Sequence, residues 1–560
     1  MAGIDVCIIL DEIADMLELL GDNPYKIRAY RNATRSLYHL NEDLETIWRE
    51  GRLKNIPGIG DAIAAQIDEL FRRGSIQLHR ELSDRIPPGV LEMLSIPGLG
   101  PRTAAIIFHH TGIDNIKDLV AAAEAKKLRD LPGLGAKSEY NIVKGVQLLS
   151  GISGKITLGV ALPFALELAD YLKSSQLVAQ AEPVGSIRRG KPLVSDIDIL
   201  AATDNEEAVR AMVRDYRRIK EVNRDEPGYI GGSLLLNLPF EIILVSPADF
   251  NRALVWCTGS KDHRQRLYDL GLAIDIPGAS YPDEAAVYLA GGMQYIPPEL
   301  RENRGEIEAA GQNCLPTLIE PGNMKGDLHL HTDQSDGADS LAEVIGMAEK
   351  LNYDYIAITD HSQSLAISRG LSPERLRLQH IDIDKWKAKT SLKLFKGSEV
   401  DILKDGTLDY SSEILEQLDV VIASIHSNFK LERSKQTERL ESVMKNPEVD
   451  IIGHMTGRLF NRRPGYELDT DFLIKLAAQT DTALEINSHP DRLDIGEELL
   501  PACRDLAVKI AINSDAHQVQ DMALIWYGVE CARRSWLTPE QIINSWTTEE
   551  LEKWLQRNRG

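Results

Sequence analysis

Gly326-Asp327-Leu328-His329-Leu330-His331 opens the C-terminal half of this 560-residue chain, and six similar runs follow it. They are Tyr355-Ile356-Ala357-Ile358-Thr359-Asp360-His361, Leu394-Phe395-Lys396-Gly397-Ser398-Glu399, Val420-Val421-Ile422-Ala423-Ser424-Ile425-His426, Ile451-Ile452-Gly453-His454, Ala483-Leu484-Glu485-Ile486-Asn487 and Ile510-Ala511-Ile512-Asn513-Ser514-Asp515-Ala516-His517. Short, β-branched runs bounded by turns read as strands buried on both faces of a parallel sheet. Helical stretches such as 340–351 and 471–479 lie between most of them. Strand and helix in repetition predict a closed α/β barrel of about seven parallel strands. In such barrels chemistry gathers at the C-terminal strand ends, and the His, Asp and Glu residues stand there.

Of thirteen His in the chain, six occupy those ends: His329, His331, His361, His426, His454 and His517. Asp336, Glu399 and Asp515 raise the candidate ligands to nine. A single His is ordinarily a satisfied core or surface residue, and that reading holds for His380, which follows no strand. Nine together exceed one tetrahedral site. They suit two or three ions, with N and O donors favouring Zn²⁺, Mn²⁺ or Fe²⁺. Clustered ions supply a nucleophile from water and neutralise phosphate charge. The expectation is therefore phosphoester hydrolysis, with Glu399 and His426 also named as catalytic. Asp360, Asp401, Asn487, His489 and Arg492 are candidates for orienting ligands or touching substrate.

The first 150 residues contain an internal repeat. Lys54-Asn55-Ile56-Pro57-Gly58-Ile59-Gly60, Leu94-Ser95-Ile96-Pro97-Gly98-Leu99-Gly100 and Asp130-Leu131-Pro132-Gly133-Leu134-Gly135 each precede a helical stretch, at 62–71, 102–110 and 136–149. Pro ends one helix, and Gly-x-Gly turns the chain into the next. The free N–H groups of that helix start can hold a phosphate. A plain helical hairpin explains one copy, but three copies at one spacing favour helix-hairpin-helix binding of DNA. Gly58, Gly60, Gly98, Gly100, Gly133 and Gly135 are its candidate contacts. Arg28, Arg31 and Arg35 fall on one helical face and are read as contacts to a DNA end.

Between these halves, 157–173 reads as an amphipathic helix, followed by Gly185-Ser186-Ile187-Arg188-Arg189-Gly190 and Asp196-Ile197-Asp198-Ile199-Leu200. Residues two apart in a strand share a face. Asp196 and Asp198 would thus offer paired carboxylates to Mg²⁺ or Mn²⁺ for attack on a nucleoside triphosphate. The Gly185-Ser186 turn can hold phosphates.

These motifs, with Thr258-Gly259-Ser260-Lys261, resemble bacterial family X DNA polymerases that carry a C-terminal polymerase-and-histidinol-phosphatase (PHP) domain. The resemblance spans nearly the whole chain. It implies a lyase-like helix-hairpin-helix domain at 1–85, fingers at 86–150, an α+β nucleotidyltransferase palm at 151–245, and a thumb at 246–312. A linker at 313–326 then leads to the PHP domain at 327–560. It also implies a trinuclear site on the nine ligands, and nucleotide contacts from Gly185, Ser186, Arg189, Trp256, Gly259 and Ser260. The palm departs from the family. Glu241 stands where a third catalytic Asp is usual, Trp256-Cys257 where an aromatic pair is usual, and Arg264 where an Asn is usual. Gln66 replaces the Schiff-base Lys of lyase-competent relatives and cannot form an imine. Synthesis is accordingly expected to be weakened.

The net charge of −22 divides unevenly. Residues 1–150 carry 18 basic against 21 acidic side chains, 151–312 carry 17 against 23, and 313–560 carry 28 against 41. Acidity concentrates where cations would bind, and DNA affinity should be modest and salt-dependent. Five scattered Cys fit reduced thiols. Acids within the first twenty residues argue against a signal peptide, and no run is long enough to span a membrane. The expected setting is cytoplasmic. The partners are gapped or 3′-recessed DNA and, for synthesis, deoxynucleoside triphosphates. Two alternatives stand beside this reading: a small-molecule phosphatase of the histidinol-phosphatase type, and a DNA-binding scaffold with an idle palm.

Overall fold

The computed structural model describes residues 3–38, 44–94, 96, 99–129, 131–135, 142, 155–216, 218–234, 238–270, 280–365 and 368–558. The chain divides into two compact units, Met1–Gly154 with Leu459–Pro464, and Lys155–Arg458 with Gly465–Gly560.

The first unit is helical. Helices α1 (Gly3–Leu19), α2 (Pro24–Tyr38), α3 (Asp61–Arg73) and α4 (Pro101–Thr111) share a core that includes Leu10, Ile13, Leu17, Ile67, Leu70 and Ile107. Gly58 adopts a left-handed φ of +82°, and Gly60 is the extended residue that starts α3. Gly100 repeats that role for α4, whose first residue is Pro101, the place where a missing N–H costs nothing. Gly133 is again left-handed. Gly98, the side chain of Arg35 and the helix expected at 136–149 lie outside the described residues.

The second unit begins with helix α5 (Leu158–Lys173), which packs on a five-stranded sheet. Its strands are β1 (Gln180–Pro183), β2 (Ile197–Ala202), β3 (Ile219–Glu226), β4 (Tyr229–Leu234) and β5 (Pro239–Val245), in the order β1-β2-β5-β4-β3. Only β2 and β5 run parallel, and their register sets Asp198 beside Glu241. Between β1 and β2 lies the short helix α6 (Gly185–Arg188), and after the sheet come α7 (Phe250–Thr258) and α8 (Lys261–Asp269).

Seven parallel strands follow in sequential order: β6 (Gly326–Leu330), β7 (Tyr355–Ile358), β8 (Lys393–Asp401), β9 (Val420–Ser424), β10 (Ile451–Ile452), β11 (Ala483–Asn487) and β12 (Ile510–Asn513). A parallel bridge from Leu330 to Ala516 brings the first strand to the end of the last, so the barrel is nearly closed. Almost every strand residue is buried, which explains the unbroken apolar runs. The segment at 313–326 is packed, with Leu318, Ile319 and Met324 buried and the Ile319 N–H donating to Leu537 O at 3.1 Å.

Helix α9 (Ile525–Arg534) lies against both the barrel and the sheet. Its Glu530 is buried. Burial first, and the Glu299 charge second, push its carboxyl up to about 8. The sign opposes the usual carboxylate case. Between pH 4.5 and 8 the unfolded chain loses this proton while the folded chain keeps it, so ionisation favours unfolding. Glu530→Gln is expected to cancel a loss of about 1.4 kcal/mol per pH unit over that window. Denaturant melts at pH 5 and 8 check this. Equal pH dependence in both proteins would refute it.

Candidate active sites

Alternation along the strands decides which side chains enter the barrel. Glu399 and Asp401 share one face of β8, and Glu485 and Asn487 one face of β11, whereas in β6 the register shifts between Asp327 and Leu330, just before His331. All nine candidate ligands meet at one mouth of the barrel. Donor atoms of His331, Asp336, His361 and His517 lie within 4.8 Å of one another, as do those of His329, His331 and Asp515, and those of His361, Glu399 and His426. Glu399 is the hub. Its carboxylate oxygens lie 2.8 Å from His361 Nδ1, 3.2 Å from His426 Nε2, 3.1 Å from His454 Nε2 and 3.5 Å from His329 Nε2.

The electrostatics fit bound metal. His329 Nε2 is buried without a hydrogen-bond partner among the described residues, 3.5 Å from both Glu399 and Asp515. Burial pulls His361 down, but the Glu399 and Asp336 carboxylates push it up to about 10. Burial likewise opposes His426, which Glu399 and Asp401 push up to about 9. His331, buried between the His517 and His361 imidazoles, is pulled down to about 4. Burial raises Glu399 and Asp515, yet neighbouring imidazoles hold both well below the carboxylate range. The carboxylates demand positive charge, and divalent ions supply it more compactly than protons on crowded imidazoles.

A surrounding layer holds these groups in place. The His426 Nδ1–H donates to Asp401 at 2.8 Å, and Asn487 Nδ2 donates to Asp515 at 2.7 Å. Asp360 is buried beside His361. It ties the 332–335 loop down, accepting from Thr332 N at 2.9 Å, Thr332 Oγ1 at 2.7 Å and Gln379 Nε2 at 2.5 Å. Burial pulls His489 down against the Asp491 and Asp521 charges, and Arg492 Nη1 is buried without a hydrogen-bond partner among the described residues. His380 sits in the helix Pro373–Lys387, away from the cluster.

Two residues here were not singled out from the sequence. Glu485, fully buried, accepts from His329 Nδ1 at 2.6 Å, His454 N at 2.7 Å and Asn513 Nδ2 at 2.9 Å. Asp327 accepts from Ser514 Oγ at 2.5 Å, and its burial pushes it up to about 7. An acid inside an otherwise apolar strand was the available signal. A carboxylate behind a ligating imidazole fixes tautomer and ring orientation. Glu485→Gln is expected to weaken Mn²⁺ binding by roughly 10- to 100-fold. Titration calorimetry on the metal-stripped protein measures it, and unchanged affinity would exclude the role.

In the sheet, Asp198 is half-buried. Burial, then the Asp196 and Glu241 charges, push it up to about 7, so the three carboxylates share one site. Asp196 precedes β2 rather than lying in it, and is raised by burial and Glu241. Gly185 is left-handed at φ +60°, and a β-carbon there would collide with the Asp198 carboxylate. Trp256 is partly exposed at 37%, with the Arg264 guanidinium 5.4 Å above its ring. Ser186 is half-buried. Ser260 Oγ caps α8, accepting from His263 N at 3.1 Å.

One sequence expectation needs correction. Arg189 is 8% exposed and donates to Glu302 at 2.9 Å and to Thr258 O at 2.8 Å, so its guanidinium is spent inside the protein rather than facing a nucleotide. Arg31 donates to Asp11 at 3.2 Å and to Asp15, with Glu18 at 3.9 Å, so it ties α2 to α1 while 35% of its side chain stays exposed. Arg28 is exposed. Gln66 accepts from the Tyr30 hydroxyl at 2.9 Å.

Family models match three parts of the chain: a helix-hairpin-helix domain at 2–76, a SAM-like helix-hairpin-helix tandem at 90–147, and a PHP domain at 327–489. A probable phosphatase of Syntrophotalea carbinolica is 27% identical over 39% of this chain and 90% of its own. One of a Thermoanaerobacter species is 28% identical over 39% and 89%. The DNA polymerase/3′-5′ exonuclease PolX of Bacillus subtilis is 36% identical, and the match covers 99% of both chains. A likeness of that extent, running through hairpins, carboxylate sheet and barrel alike, places this chain in the family of bacterial family X DNA polymerases with a C-terminal PHP domain.

Proposed function

We propose that this protein is a DNA repair enzyme that grips gapped or 3′-recessed DNA and trims its 3′ end in the barrel. A palm with reduced capacity for synthesis works beside that site. The observation that carries the reading is the gathering of nine N and O donor residues at one mouth of the barrel, five of them His around Glu399. In this reading 1–85 and 86–150 bind DNA, 151–245 and 246–312 are palm and thumb, 313–326 joins them to the barrel, and 327–560 hydrolyses phosphoesters. The setting is the cytoplasm. Among the described residues no helix is long and apolar enough to cross a membrane.

His329, His331, Asp336, His361, Glu399, His426, His454, Asp515 and His517 would hold two or three Zn²⁺ or Mn²⁺ ions. Such ions, when bound, supply a nucleophile from water at neutral pH and offset the charge of the phosphate. The residues' own work is geometric. Asp401 and Glu485 hold their imidazoles in one tautomer, and Asn487 orients Asp515. Arg492 is the side chain best suited to meet a phosphodiester. At the palm, Asp196, Asp198 and Glu241 would hold Mg²⁺ or Mn²⁺, and the left-handed Gly185 lets the phosphate-binding turn close on Asp198.

The phosphatase relatives match only about two-fifths of this chain, whereas the hairpins and carboxylate sheet lie in the remainder. A small phosphomonoester would need neither. Incubating a 3′-labelled oligonucleotide with Mn²⁺ tests the barrel. Release of the terminal nucleotide is expected, with His331→Ala reducing it to background. Undiminished release by that variant would remove the barrel from the reaction.

A further inference from the structure

Helix α9 joins the halves of the second unit. Its Trp526 and Tyr527 pack on the core of the palm sheet. On the barrel side its Gly528 lies so near Ser488 and Ile512 that a β-carbon would collide with both. Gly190, which closes the Gly185–Gly190 turn, faces the same helix, and a β-carbon there would lie 2.8 Å from Glu530 Oε2.

Arg534, at the end of α9, has no exposed side-chain surface. Its Nη1 donates to the carbonyl of Arg189 at 2.6 Å. Nη1 and Nη2 donate to Glu302 Oε1 at 3.1 and 3.2 Å, and Nε and Nη2 to Glu497 Oε2 at 3.0 and 2.6 Å. The same Glu302 oxygen accepts from Arg189 Nε at 2.9 Å, while Arg189 Nη1 holds Thr258 O at 2.8 Å. Arg188 beside it grips Thr258 Oγ1 and Glu284, each at 2.8 Å. The two turns read as cradling a nucleotide, 185–190 and 258–260, therefore hang from one buried network. Its anchor belongs to a helix of the barrel.

We infer that Arg534 is a positioning residue for nucleotidyl transfer, fixing from the barrel domain the turn that carries Gly185 and Ser186. The inference rests on the polymerase reading of the palm given above. Its chemistry is that of the guanidinium fork. Five donors in one plane can hold a carbonyl and two carboxylates at once, which a lysine ammonium cannot do in fixed geometry. Without that fork the Arg189 carbonyl loses its donor, and Glu302 no longer bridges the turn to α9. A displacement of about 1 Å in groups that position substrate can cost ~100-fold in rate.

The test uses the full chain on one gapped duplex. Single-nucleotide incorporation is followed against deoxynucleotide concentration with Mn²⁺. In parallel, 3′ degradation of the same DNA without nucleotide and the thermal midpoint are measured. Arg534→Lys is expected to raise KM for the nucleotide about tenfold or more, with degradation and midpoint near wild type. Glu497→Gln, which leaves the Arg189 and Glu302 contacts in place, should not change KM. If Arg534→Lys fails to fold, Glu302→Gln carries the same expectation of raised KM. An unchanged KM overturns the inference, and so does a parallel fall of synthesis, degradation and midpoint, which marks a merely structural role. A wild-type protein that neither binds nor incorporates nucleotide removes the polymerase reading itself, and this inference with it.

Discussion

Glu399→Gln is expected to abolish metal-dependent removal of 3′ nucleotides, by roughly a thousandfold or more. Several kcal/mol of charge stabilisation at the transition state translate into a factor of that size. Among the described residues no other carboxylate at the barrel mouth lies near so many candidate ligands. His361, His426 and His454 lie within 3.2 Å of its oxygens, and His329 and His331 at 3.5 and 3.7 Å. Glutamine keeps the shape and removes the charge, so the imidazoles lose the group that gathers them. Elemental analysis should show fewer ions per chain, while affinity for gapped duplex stays unchanged, since the hairpins form a separate unit. Retention of both ions and nuclease activity would sink the reading of Glu399 as the hub.

The second large effect lies at the palm. Asp198→Ala is expected to eliminate nucleotide incorporation, and Glu241→Asp to increase it by as much as ~100-fold. The parallel register of β2 and β5 sets residue 241 directly beside residue 198. Any carboxylate there points into the same site, and only its reach differs. One additional methylene shifts the oxygens by about a bond length, on a scale where positioning governs rate. Primer extension on gapped DNA with Mg²⁺ and with Mn²⁺ measures both variants. Vigorous wild-type extension that Glu241→Asp does not improve would refute a weakened palm.

The barrel was legible because its strands are buried on both faces. Burial demands uninterrupted apolar runs, and in such runs a His or an acid is conspicuous. The seven runs quoted at the outset correspond to the seven strands observed, and the candidate ligands they carry reach one mouth. Glu485 and Asp327 stood in those same runs. Their task depends on which group lies across the fold: the His329 to Glu485 contact spans 156 residues of sequence, and the Ser514 to Asp327 contact 187.

The arginines mark the opposite limit. Arg31 and Arg189 sit in motifs that read as contacts to DNA and nucleotide, yet carboxylates of α1 and Glu302 take them up. Spacing places a guanidinium on a helix face or in a turn, but its partner is settled by packing between distant segments. So the sequence by itself determined the parallel barrel, the repeated hairpins and the chemical character of the donors, because periodicity and burial are local signals. Tertiary structure alone decided which charges are spent on holding the molecule together. An ion pair forms wherever folding removes two charged groups from water at the same place.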